Sequence, residues 1–288
     1  MGHNTSFKIG KLDVHLLNAG LFWLDGGTMF GIVPKKLWSK ILKADENNCI
    51  PLALNCYLLS GKNFLMLIEA GIGNWWDEKW KNIYKIKTRD FEKILKPLGI
   101  SKEDITHIFV SHLHFDHIGG AVEKLYDQVV PTFPKAKIYV QKEEYLHYIS
   151  PNLREKGSYK KEILTPLLEN GKFEFLGENS EILPGIQAIK VGGHSMGMQI
   201  LKIQSEGEVA YFLGDLIPTE SHLKLNWIAS YDLEPLKILS LKEKILEEAL
   251  EEKAIFLLYH EINKPVGRLK KDMEGNFFLE KLKGSKNV

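Results

Sequence analysis

Three of the ten histidines fall within the stretch Ser111-His112-Leu113-His114-Phe115-Asp116-His117-Ile118-Gly119-Gly120. Imidazoles and a carboxylate at this density are ligands for Lewis-acidic cations, and a pair of such ions can acidify water for hydrolysis. The apolar run THIFV, ending at Val110, comes directly before, so the motif sits in a loop at a strand end. In extended backbone, residues two apart point the same way, so His112 and His114 can approach one ion together. Asp116 and His117 are adjacent and diverge, and can turn towards a second position. Gly119 and Gly120 permit close backbone approach and are expected to lead into a helix beginning near Ala121.

Four ligands do not complete two metal positions, and three further candidates follow buried-looking strands. His194 sits in VGGHSMG, Asp215 closes YFLGD and His260 closes AIFLLYH. Together these residues offer five imidazoles and two carboxylates. That hard-to-borderline set suits two divalent ions, Zn first, with Fe, Mn and Co compatible.

The elements that must position these ligands are short strands alternating with helices. Strands are expected near 12–18, 54–60, 63–69, 106–110, 137–141, 173–176, 186–191, 198–204, 209–214 and 254–259, with a tight hairpin at Gly61-Lys62. Phe91, Ile94, Leu95 and Leu98 make one apolar helix face, with Thr88 as N-cap, Pro97 in the last turn and Gly99 beyond it. Ser101 to Asp104 and Ser240 to Glu243 have capping-box spacing. Leu241 to Glu252 reads as an amphipathic helix, and the tail as a hairpin around Glu274-Gly275. With no repeat or linker, residues 1–288 read as one mixed α/β domain of sheets covered by helices.

Composition excludes several classes. Lysine plus arginine number 38 against 37 acidic residues, a net charge of +1, so no basic excess points to nucleic acid. No apolar run approaches the ~20 residues of a membrane span. The start MGHNTSFKIG shows no export signal, and two cysteines, Cys49 and Cys56, build no disulfide framework; a reducing, cytoplasmic setting is expected.

On SHLHFDHIGG, GGHSMG, FLGD and the late His260, the chain resembles the metallo-β-lactamase-fold hydrolases from about residue 10 to 262. The resemblance implies a four-layer αβ/βα sandwich with metals at the sheet edges. By position, His112, His114 and His194 would bind one ion, and Asp116, His117 and His260 the other. Asp215 would bridge, and Asp116 would also help orient a metal-bridging hydroxide. Ile68-Glu69-Ala70-Gly71 aligns with a family Asp-Thr-Gly turn, with Glu and Ala in place of Asp and Thr.

Within that family the segments DGGTMFGIVP at 25–34 and GDLIP at 214–218 are similar to the N-acyl-homoserine lactonase and methyl-parathion-hydrolase-like branch. This implies hydrolysis of a lactone or other carboxylic ester, with side activity on phosphotriesters. A dedicated phosphoric-ester hydrolase and a mononuclear iron persulfide dioxygenase are the alternatives. Some lactonases carry a substrate-contacting tyrosine three residues after the bridging aspartate; Pro218 stands there here. Met29, Phe30, Ile32, Trp227 and Tyr231 are candidates for an apolar substrate wall. Trp75, Trp76 and Trp80, at helical spacing, suit packing or a homodimer interface better than a substrate box. His222 reads as a surface-loop residue, and His3, His15, His107 and His147 as structural or exposed. The expected partner is a small ester or lactone, with neither nucleic acid nor membrane.

Overall fold

A computed structural model describes residues 5–282 and the backbone of 286–287. His3 lies outside the described residues. The strands form two large sheets. The first runs, in spatial order, Phe173–Leu176, Lys137–Gln141, His107–Phe109, Phe64–Ile68, Cys49–Gly61, Leu12–Asp25, Thr5–Ile9 and Lys286–Asn287, with Lys87–Thr88 paired to Leu12–Asp25. The second runs Asn179–Leu183, Ile186–Lys190, Gln199–Ser205, Glu208–Phe212, Ile255–Leu257, Val266–Lys271 and Phe277–Glu280.

Side-chain alternation shows how the layers stack. In Glu208–Phe212, Ala210 and Phe212 join the core shared with the first sheet, while Val209 and Tyr211 face the other way. That outer face is covered by the helix Pro235–Glu251 through Ile238, Ile245, Leu246 and Ala249. Phe91, Ile94 and Leu95 of one helix and Ile163, Leu164 and Leu167 of another pack into the core that contains the first sheet. The result is the αβ/βα layering of the metallo-β-lactamase fold. Among the described residues no helix is long and apolar enough to cross a membrane.

Several expected elements fall where the sequence puts them, and others shift for identifiable reasons. The Gly61-Lys62 hairpin turns one residue later, because Gly61 pairs with Phe64. The first long strand continues past residue 18 to Asp25 through a register shift between Asn18 and Leu21. The helix at Phe91 is capped by Asp90, whose carboxylate accepts from the Glu92 amide at 2.9 Å; Thr88 instead pairs with Gly20 in the sheet. Ser101 and Asp104 form the expected capping box around a single 3-10 turn. Ser240 caps nothing: its helix starts at Pro235, and its hydroxyl donates back to the Leu236 carbonyl at 3.2 Å. The tail hairpin pairs Val266–Lys271 with Phe277–Glu280.

No α-helix begins near Ala121, where Gly119–Ala121 makes only a single 3-10 turn. A short helix, Phe115–Ile118, comes earlier, and Val122–Leu125 is a strand paired with Gln128–Pro131. The glycines between serve close packing. A Cβ on Gly120 would stand 2.0 Å from the Ala70 carbonyl oxygen, and one on Gly119 would stand 2.3 Å from that of Ile72. Two backbones meet there without room for any side chain.

Candidate metal centre

Parallel strands deliver the candidate ligands to one edge. Phe64–Ile68 and His107–Phe109 run parallel, so Glu69 and the segment Ser111–His117 emerge together. Glu208–Phe212 and Ile255–Leu257 are also parallel, bringing Asp215 and His260 to their ends. His194 follows Ile186–Lys190.

The seven candidates converge. His112, His114 and His194 present ligand atoms within 4.8 Å of one another, and so do Asp116, His117 and His260. Asp215 lies between the two triads. Its Oδ1 is 3.4 Å from His117 Nε2 and 3.3 Å from His260 Nε2, and its Oδ2 is 3.3 Å from His194 Nε2. Asp116 Oδ2 lies 3.6 Å from His260 Nε2 and 3.7 Å from His117 Nε2.

The inward atoms lack partners that protein alone can supply. His112 Nε2, His117 Nε2 and Asp215 Oδ1 are buried with no hydrogen bond. His194 Nε2 and His114 Nδ1 meet at 3.2 Å, with acceptor lone pairs on both rings when neutral. The outward nitrogens, by contrast, face acceptors. His194 Nδ1 donates to Asp232 Oδ1 at 2.7 Å and His260 Nδ1 to the Ala53 carbonyl at 2.9 Å. His112 Nδ1 is 3.0 Å from the Ser111 hydroxyl, and His117 Nδ1 is 3.3 Å from Glu69 Oε1. Holding the ring proton outside leaves each lone pair pointing inward, which is the arrangement a metal-binding histidine needs. The residues present therefore fit two divalent ions.

Electrostatics agree. Burial, together with the neighbouring imidazoles, pushes His112 well below the usual histidine range, keeping it neutral. Burial would lower His117 and His194 as well, but Asp215 and the other carboxylates overcome it, lifting His117 well up and His194 to about 9. Burial would raise Asp215, yet the surrounding histidines hold it well below the ordinary carboxylate range. The negative charge that retains protons on these rings would equally favour a cation.

Of the outer groups, only Glu69 is marked in the sequence, by its alignment with the turn. Glu69 has no exposed surface, and its Oε1 also accepts from the Ser111 amide at 2.9 Å. So the Glu in place of the family Asp does brace the motif. Asp232 and Glu155 are buried carboxylates in loop sequence, where nothing marks them as inward. Glu155 Oε1 is 3.6 Å from His114 Nε2, and its other oxygen meets His147 Nε2, so His147 supports the site indirectly. Replacing Asp232 by Asn is expected to weaken metal binding about 10- to 100-fold, since the amide no longer enforces the His194 tautomer. Metal titration of the purified variant checks this; unchanged affinity would refute it.

The expected substrate wall divides. Phe30 has no exposed surface and stacks on His222 and Trp38 with ring centroids 5.1 and 5.4 Å away. Met29 and Trp227 are buried, and Ile32 is 90% exposed. Gly31 between them has φ 56°, and a Cβ on it would stand 2.3 Å from the Ile228 carbonyl oxygen, so the chain turns sharply there. Tyr231 is partly exposed and its hydroxyl accepts from Thr28 Oγ1 at 3.0 Å. Burial raises Tyr231 and lifts Tyr84 to about 12, and the Asp116 charge adds to both. His222 is no surface residue. It is buried, bonds Thr219 Oγ1 at 2.7 Å and the Met29 carbonyl at 2.9 Å, and burial drives its pKa to about 3. Trp75 and Trp76 stack at 4.5 Å and donate their indole N–H groups to the carbonyls of Gly119 and Ile72, bracing the motif from behind.

Residues 50–260, most of the chain, match the metallo-beta-lactamase superfamily. The chain belongs to that superfamily. Among metallo-beta-lactamase relatives, an N-acyl homoserine lactonase of Bacillus cereus is 28% identical over 237 residues, covering 76% of this chain and 86% of its own. A Staphylococcus aureus protein described as a "probable metal-dependent hydrolase" superposes with a TM-score of 0.88 at 31% identity, covering 96% of this chain and 99% of that one. A dizinc quorum-quenching lactonase, AidC, shares the fold with a TM-score of 0.77 at 24% identity, covering 98% and 100%.

Proposed function

We propose that this metallo-beta-lactamase superfamily hydrolase is dinuclear and opens lactones, with N-acyl homoserine lactones as the first class to test. The observation that carries the reading is the Asp215 carboxylate, with one oxygen towards each triad. His112, His114 and His194 would hold one ion, and Asp116, His117 and His260 the other, with zinc the first metal to test. Bound there, the ions would supply Lewis acidity and lower the pKa of a coordinated water. The relatives named as lactonases support the substrate class.

The chain's own groups then have distinct tasks. Asp116 faces the second triad through Oδ2, leaving its other oxygen to orient the attacking water and take its proton. That proton can pass to the departing alkoxide as the ring opens. Pro218, where some lactonases have a tyrosine, gives its carbonyl to the His260 amide at 2.9 Å and so fixes a ligand's backbone. The tyrosine's contact with the substrate carbonyl would fall to Tyr231 or Tyr84, whose hydroxyls both sense the Asp116 charge. Lys242 is wholly buried and donates to the carbonyls of Lys224, Leu225 and Trp227, shaping the loop that leads to Tyr231. The whole chain would act as one domain in the cytoplasm.

The test compares kcat/KM for an N-acyl homoserine lactone, an aryl ester and paraoxon, with metal content measured on the same preparation. Lactone turnover with two ions per chain is expected. Paraoxon turnover with lactone and ester inert would favour a phosphoric-ester hydrolase instead. One iron per chain with oxygen uptake on a persulfide would replace hydrolysis by oxidation.

A further inference from the structure

Glu144 lies outside every ligand motif, in the helix Lys142–Ile149, yet its side chain has no exposed surface. Both carboxylate oxygens are engaged. Oε1 accepts from the Leu113 amide at 3.0 Å and the Tyr159 hydroxyl at 3.2 Å. Oε2 accepts from the Ser195 hydroxyl at 2.7 Å and the Gly197 amide at 3.0 Å. Leu113 stands between His112 and His114, and Ser195 directly follows His194. One carboxylate thus ties together the two chain segments that carry the first triad. The approach is close: a Cβ on Gly197 would stand 2.2 Å from the Glu144 amide nitrogen.

The second triad has separate supports. The His117 carbonyl accepts from the Ala70 amide at 2.9 Å, His260 is held by Ala53 and Pro218, and the Tyr259 hydroxyl donates to the Asp116 carbonyl. None of these groups touches Glu144.

We infer that Glu144 is a positioning residue, a carboxylate clamp that sets the spacing of the HxH and GGHS segments and with it the affinity of the His112–His114–His194 position alone. The inference rests on the dinuclear reading. Four donors meet a carboxylate that has only acceptors, so the pattern calls for the ionised acid. A glutamine would turn an NH2 group towards either Leu113 and Tyr159 or Ser195 and Gly197. One segment would then lose its acceptor and meet a donor instead.

The test is titration of purified, chelator-treated protein with Zn2+ alone, followed by calorimetry and by metal analysis after desalting. Wild type should take up two ions. E144Q should keep one at wild-type affinity and bind the other about 10- to 100-fold more weakly, the usual range for losing an outer-shell partner. S195A, which removes a single donor, should weaken the same ion by less; where E144Q does not fold, S195A carries the test. A purely structural role for Glu144 would lower thermal stability without splitting the two ions. Two ions bound by E144Q as tightly as by wild type, or both weakened equally, would overturn the clamp. Wild-type uptake of a single ion would overturn the dinuclear reading, and the clamp with it.

Discussion

Asp215→Ala is expected to lower kcat/KM for the lactone by about a thousandfold or more, the equivalent of several kcal/mol of lost charge stabilisation. Metal content should fall with it. The size follows from the residue's position. Its two oxygens lie 3.3–3.4 Å from imidazole nitrogens of both triads, so alanine removes a donor from each at once. No other candidate reaches both sides with separate atoms. The remaining histidines His117 and His194, whose affinity for protons Asp215 helps to raise, would also lose a negative neighbour. Activity and metal should therefore disappear together, measured as turnover and metal per chain on one preparation. A metal-depleted Asp215→Ala protein that still turned over substrate would sink the scheme.

The legibility of this centre in sequence follows from how each residue is delivered. Four candidate ligands fall within the six residues from His112 to His117, so local spacing alone singles them out. His194, Asp215 and His260 are far apart in the chain, but each comes shortly after a strand-like run, and such runs become strands whose ends share an edge. Glu144, Glu155 and Asp232 carry no such mark. A buried carboxylate and a solvated one look alike in sequence, and Glu144 sits in a helix beside Lys142 and Glu143. Only tertiary packing decides that it faces inward. Exposure among the candidate wall residues is illegible for a similar reason: Phe30 and Ile32 are two residues apart, yet one is 0% and the other 90% exposed. The left-handed turn at Gly31 separates them, and alternation rules do not hold across it. Gly119 and Gly120 are the close-approach residues the motif leads one to expect, but they form a single 3-10 turn that leads into a strand and not into an α-helix.

Glu69 offers the second large effect and the sharper test. It stands where the family resemblance implies aspartate, and at φ 63° its backbone adopts a left-handed conformation costly for a side-chain-bearing residue. Its Oε1 accepts from the buried Ser111 amide and lies 3.3 Å from His117 Nδ1. Glu69→Ala should leave that amide unpaired, at a cost of about 1–3 kcal/mol. It should also free His117 to adopt the wrong tautomer, lowering metal affinity and kcat/KM about 10- to 100-fold. Glu69→Gly separates the two roles. It loses the same carboxylate but relieves the left-handed strain, so it should be about 1 kcal/mol more stable than the alanine variant while equally impaired in catalysis. Thermal melts read the first comparison and lactone kinetics the second. If Glu69→Gly recovered activity in step with stability, the carboxylate would matter only for folding. If activity stayed low as stability rose, the carboxylate would be setting the His117 lone pair, and the strained backbone would be the cost of placing it there.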